Sequence, residues 1–281
     1  HVAVRARTDA SGELAIERLD ADGEVDWDSG DTDLQGARLA ADFDPEGRIT
    51  LARLEESPRA ELALWKGADA LPELGRADTV LLEGRDSLVM RAVEGGHEFT
   101  LAGLPSVELE DFRLKAATLV EGFLATDQQS GRFTAAGGVE VEGGRATLET
   151  AQFTLAFTSA GSATTLRGTA EGGARLSGTI EREPGDARAA RKFTLTTPET
   201  LVIERAGSGW RVVEGAQVEL VLEGEDGFTA RAERVHDVDL TNFALRAEGD
   251  VEFRSARLGR LGGDELELIA ITPVPHFFLR G

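Results

Sequence analysis

Apolar and polar residues alternate along most of this chain with a period of two. Val139-Glu140-Val141-Glu142, Phe153-Thr154-Leu155-Ala156-Phe157, Val218-Glu219-Leu220-Val221-Leu222 and Leu266-Glu267-Leu268 are clear instances. Successive side chains of a strand point to opposite faces, so Phe153, Leu155 and Phe157 share one face and Thr154 and Ala156 the other. Windows with the 3.6-residue period of a helix are few. Ala60 to Trp65 has some helical propensity, but Pro58 and Gly67 confine it to about two turns, and a strand is expected there.

Turn signals separate these runs: Asp22-Gly23, Glu46-Gly47, Gly95-Gly96, Gly143-Gly144, Gly172-Gly173, Asp226-Gly227 and Gly262-Gly263. Short strands with turns at such spacing predict a sandwich, a barrel or a stacked-strand solenoid. The connections are too short for βαβ crossovers, which excludes a parallel sheet covered by helices.

A repeated grammar overlies the alternation. Phe99-Thr100-Leu101-Ala102-Gly103 leads to Val107-Glu108-Leu109, and Phe133-Thr134-Ala135-Ala136-Gly137 leads to Val139-Glu140-Val141. Leu166-Arg167-Gly168 runs through Gly172-Gly173 to Arg175-Leu176, and Phe243 to Phe253 follows the same order. The first three units start at 99, 133 and 166, and the pairs Phe193/Phe228 and Phe243/Phe278 are each 35 residues apart. A fixed period of this size marks a repeat architecture.

The grammar of Gly-x-Val, an alternating strand, a Gly-Gly turn and a strand ending in Ala resembles the OstA-like repeat of the lipopolysaccharide-transport bridge proteins. Phe133 to Ala151 carries it best, and Phe243 to Ala270 is similar, with an insertion around Gly259. Gly36 to Ile49, His97 to Val107 and Thr272 to Gly281 resemble other strands of the same family. The chain is longer than a usual bridge subunit, and Glu181 to Arg191 reads as an exposed insertion, so no single member of the pathway is indicated.

The resemblance implies an all-β, elongated antiparallel β-taco or β-jellyroll, an open, folded-over sheet. One continuous repeat array would span residues 1–281, with a subdivision near 181–191 into segments 1–180 and 192–281. Its apolar groove would hold acyl chains while the sugar and phosphate head stays outside, in a non-enzymatic, periplasmic lipid carrier or bridge anchored, if at all, through a segment outside these residues. The groove-lining candidates are Phe99, Leu101, Val107, Leu109, Phe133, Val139, Val141, Phe153, Leu155, Phe157, Phe243, Leu245, Val251 and Phe253. The alternative is a structural or adhesive β-solenoid or sandwich whose apolar face closes on itself and takes no ligand.

Composition narrows the remaining classes. There are 51 Asp and Glu against 30 Lys and Arg, a net charge of −21 with no basic cluster, which disfavours a nucleic-acid partner. With no Cys, there is no disulfide, thiolate metal site or cysteine nucleophile. No apolar run reaches the length of a membrane-spanning helix.

Enzyme and cofactor motifs are lacking. His1, His97, His236 and His276 are widely spaced, and His236 beside Asp237 and Asp239 reads as a solvated strand end. No nucleophile elbow, P-loop or dinucleotide fingerprint occurs, and no cofactor is expected. Trp27, Trp65 and Trp210 are far apart and Tyr is absent, against a carbohydrate-active site. The acidic stretch Asp20 to Asp33 could suit Ca²⁺, but no register places Gly at position 6 with Glu at 12, and an acidic hairpin is the simpler reading. The first strand, Val2 to Arg7, and the last, His276 to Arg280, are expected as sheet edges that pair with a similar β protein or with a second copy.

Overall fold

The computed structural model describes residues 1–8, 14–28, 32–63, 79–109, 112–127, 129–160, 163–180, 191–206, 209–224, 227–239, 244–269 and 276–281. Among these the chain is all β, with no helix. It divides into two compact units, residues 1–137 with 156–163, and residues 138–155 with 164–281.

The first unit opens with β1 (Val2–Thr8), β2 (Leu14–Asp28) and β3 (Thr32–Phe43). Shorter strands follow: β4 (Ile49–Glu55), β5 (Arg59–Ala63), β6 (Thr79–Glu83), β7 (Ser87–Val93), β8 (Gly96–Ala102), β9 (Ser106–Leu109), β10 (Phe112–Ala116) and β11 (Leu119–Ala125). β12 (Ser130–Gly143) is again long and belongs to the first unit as far as residue 137. The helix-prone window lies in β5 as far as Ala63, and Leu64 and Trp65 lie outside the described residues.

The long strands each pair with two shorter ones in succession. Thr32–Gln35 of β3 pairs with β5, whereas Arg38–Phe43 pairs with β4. From β4 the pairing runs through β7 and β8 to β11, and from β5 through β6 and β9 to β10. β12 pairs with both β11 and β10. The result is a closed, ten-stranded antiparallel barrel with β1 and β2 outside it, attached along β3. The rings of Trp27, opposite Leu34, and Phe43, at the far end of β3, lie 5.9 Å apart, so the two halves of β3 fold toward each other.

The second unit contains β13 (Ala146–Ala160, except its end), β14 (Ala163–Ile180), β15 (Arg191–Thr197), β16 (Leu201–Ala206) and β17 (Gly209–Leu222). β14 pairs with β16 through Leu166–Ala170 and with β15 through Ala174–Ile180. The switch falls at Gly172 and Gly173, at φ +76° and +97°, a region that L side chains rarely enter. β17 likewise spans both β16 and β15, which lie end to end between β14 and β17. β18 (Phe228–Asp239), β19 (Ala244–Ser255), β20 (Gly259–Ile269) and β21 (His276–Arg280) then add as antiparallel neighbours.

Two expectations need correction. The sheet is not an open, folded-over taco or jellyroll: a closed ten-stranded barrel stands in its place. The short strands lie end to end along one edge of a long one, as β4 and β5 do along β3, and a closed sheet removes the bare edges that an open one exposes. Several strands are also longer than expected, since Gly23, Gly172–Gly173 and Gly262–Gly263 lie inside β2, β14 and β20 instead of ending them. Gly23 accompanies a register shift between Asp22 and Val25, so it bulges the ladder without terminating it. Gly47, Gly95 and Gly144 do sit in connections.

Candidate functional site

The inward faces are packed with the protein's own side chains. Phe99, Leu101, Val107, Leu109, Phe133 and Phe157 are buried in the first unit, and Val139, Val141, Phe153, Leu155, Leu245, Val251 and Phe253 in the second. Phe243 lies outside the described residues. The alternation thus identified the buried faces, and within each unit the groove-lining candidates are core residues.

The aromatic packing has a recurrent partner. Phe133 lies opposite Gly122, and a Cβ there would come within 2.6 Å of the ring. Phe193 lies opposite Gly178 in the same relationship, at 2.8 Å. The rings of Phe157 and Phe153 fill the positions that side chains at Gly131 and Gly168 would occupy. Phe133 and Phe157 also stack, with centroids 6.1 Å apart. A Phe laid over a strand glycine fills the interior densely with little bulk from the facing strand. The signal in the sequence was a Gly inside a strand with no turn partner beside it, which marks a close approach.

An uncovered apolar face lies on β1 and β2. In their register Val2, Val4, Ala6 and Thr8 stand opposite Ala21, Leu19, Ile16 and Leu14, so all eight share one face. Leu19 and Ala21 in turn stand opposite Ala41 and Leu39, which are buried in the core. The core-facing surface therefore continues past β3 onto two strands where it meets solvent: Val2, Val4, Leu14 and Ile16 are 64%, 55%, 76% and 41% exposed. The alternation of Val2 to Arg7 indicated an edge, whereas Leu14 and Ile16 were missed. They repeat the two-residue spacing, but nothing local says that no further layer covers them.

The opposite faces carry ion pairs. Arg18 bonds Asp20 and Asp42, and its guanidinium holds the Asp20 carboxyl below the usual range. Glu204 sits between Arg167 and Arg211, and Glu252 between Arg254 and Arg260, where hydrogen bonding to Arg254 pulls its pKa down. His236 faces Glu248 at 3.8 Å on this polar side. Burial lowers the pKa of His97, which is half-buried on β8.

The acidic stretch is divided among such partners. Asp20 engages Arg18 and Asp22 engages Arg38. Asp33 has its pKa raised by desolvation and by neighbouring Asp28, Glu61 and Asp26. Among the described residues no group of three or more His, Asp or Glu is arranged to hold a metal ion. No family model matches the chain, no curated protein matches it, and no solved structure matches it.

Proposed function

We propose that this protein is a non-catalytic lipid-binding protein of the cell envelope, carrying an amphipathic lipid of the lipopolysaccharide type. The observation that supports it is the uncovered apolar face of β1 and β2, continuous with the core surface of β3. Acyl chains laid on Val2, Val4, Ile16 and Leu14 would remove apolar area from water at about 25 cal/mol per Å². The resemblance of Phe133 to Ala151 to the OstA-like repeat points the same way. Phe133 and Phe153 are buried within their units, so the binding surface in this reading is the exposed face of β1 and β2. Native mass spectrometry after gentle purification tests the reading, with a photo-crosslinking residue at Ile16 and a control at Phe133. Co-purified lipid that crosslinks from position 16 supports it; absence of both signals rejects it.

The second reading is a structural or adhesive β protein without ligand, favoured by barrel closure and by the Phe-over-Gly packing. It would act through its edges, β1 and β21, by pairing with a similar β protein or with a second copy. Phe278 on β21 is 56% exposed. Loss of self-association in sedimentation velocity for Phe278→Asp, with no lipid retained by the parent protein, would select this reading.

A further inference from the structure

Resting on the lipid-carrier reading, we infer that the indole N–H of Trp27 anchors the bound lipid by donating to an uncharged carbonyl oxygen, that of an acyl ester or amide.

Trp27 Nε1 is buried and has no hydrogen-bond partner among the described residues. Nearly all buried donors in folded proteins are paired, so this one calls for an oxygen that its neighbours do not supply. Trp27 stands opposite the buried Leu34, on the core-facing side of β2. Its ring lies 5.9 Å from that of Phe43. Phe43 follows Asp42, which pairs with Arg18, so it is level with Ile16 and Glu17, where the bare apolar face meets the core surface. The Trp27 ring therefore lies at the inner border of the face on which acyl chains would rest. An acyl lipid joins an apolar chain to a carbonyl, which matches an apolar face bordered by an unpaired donor.

Charge selects the kind of oxygen. Asp26 and Asp28 flank Trp27 in the strand and point to its reverse face, where Asp28, Asp33 and Glu61 stand in one cross-strand row. Desolvation and the neighbouring carboxylates already push the pKa of Asp33 up. A free fatty acid would bring another carboxylate into that field, at a like cost. An ester or amide carbonyl accepts the same hydrogen bond without charge.

Titration of the intact chain with three probes of equal chain length tests this: monolauroyl glycerol, its ether analogue monododecyl glycerol, and laurate. The ester should bind about tenfold more tightly than the ether, which lacks the carbonyl, and laurate should bind no better than the ether. In proton–nitrogen correlation spectra, the indole signal that disappears in Trp27→Phe should move downfield with the ester and stay in place with the ether. Trp27→Phe keeps a ring and removes the donor, so it should bring the ester down to the affinity of the ether, with circular dichroism confirming the fold. The comparison of ester with ether on the parent chain stands even where that variant fails to fold. Equal affinity for ester and ether on the parent overturns the inference and leaves the carrier reading standing. So does an ester preference that survives in Trp27→Phe, or an indole signal that the ester leaves unmoved, which marks water as the acceptor. Tighter binding of laurate than of the ester overturns it too, since the acceptor is then charged. Binding of none of the three probes rejects the anchor, and only a lack of co-purified lipid in native mass spectrometry rejects the carrier reading with it.

Discussion

Gly122 lies directly opposite Phe133 across the β11–β12 pair, and a Cβ at 122 would come within 2.6 Å of the Phe133 ring. On its other side Gly122 stands opposite Phe99 of β8. The two phenylalanines that begin the best-matched sequence repeats therefore flank one glycine in space.

Gly122→Ala should consequently destabilise the protein, although Ala is ordinarily better than Gly inside a strand by about 0.5–1 kcal/mol. Overpacking against Phe133 should cost about 1–3 kcal/mol. Urea denaturation followed by tryptophan fluorescence reads the change, and a stabilised variant would show that the ring moves aside freely.

Phe153 and Gly168 offer a sharper test, because each can be altered alone and together. Phe153→Ala should cost about 3–5 kcal/mol, since the ring is fully buried. Gly168→Ala alone should cost about 1–3 kcal/mol, as its Cβ would strike that ring. In the Phe153→Ala background the added methyl should be neutral or favourable, giving a coupling of about 0.5–3 kcal/mol in a double-mutant cycle. Additive effects would contradict the packing relationship.

Acidic residues on β2 and β3 should have opposite pH signatures. Asp20 is held low by Arg18, so its stabilisation is present above its unfolded pKa and is lost as pH falls through its folded pKa. Asp33 is raised by desolvation and by Asp28, so folding opposes its ionisation, and that penalty shrinks as pH falls through the folded pKa and is gone below the unfolded one. Asp20→Asn should lower the melting temperature near about pH 7, and Asp33→Asn should raise it there. Both differences should shrink as pH falls toward about 2. Calorimetry across that range measures the two signs directly.

Gly172 and Gly173 let β14 pass from β16 to β15. Neither has backbone or side-chain atoms closer than 3.5 Å to an added Cβ, so substitution is opposed by backbone conformation and not by crowding. Gly172→Ala should cost about 1–2 kcal/mol, and Gly172→Asn less, because Asn tolerates the left-handed region better. Equal costs from the two changes would show that conformation is not the controlling factor.

Much of the local structure was legible in the residues. The two-residue period placed Phe153, Leu155 and Phe157 on a buried face, as it did Val139 and Val141, because strand geometry sends alternate side chains to one side whatever the strand pairs with. Gly47 and Gly95 were read as connections, where glycine freedom and chain reversal coincide. Gly23 and Gly172 were misread as ends, because a positive φ suits a mid-strand kink as well as a turn.

The sequence by itself determined that the chain is all β, which faces are apolar, and that β1 is edge-like. Only the tertiary structure decided that β3 folds over on itself, that β3 and β12 each pair with two shorter strands, that the barrel closes, and that the apolar face stays bare on β1 and β2. The reason is physical. Alternation is a property of one strand, whereas closure and cover depend on hydrogen bonds and packing between segments far apart in the chain. The pairing of Leu34 with Ala60 and of Leu39 with Leu54 cannot be written into either strand alone.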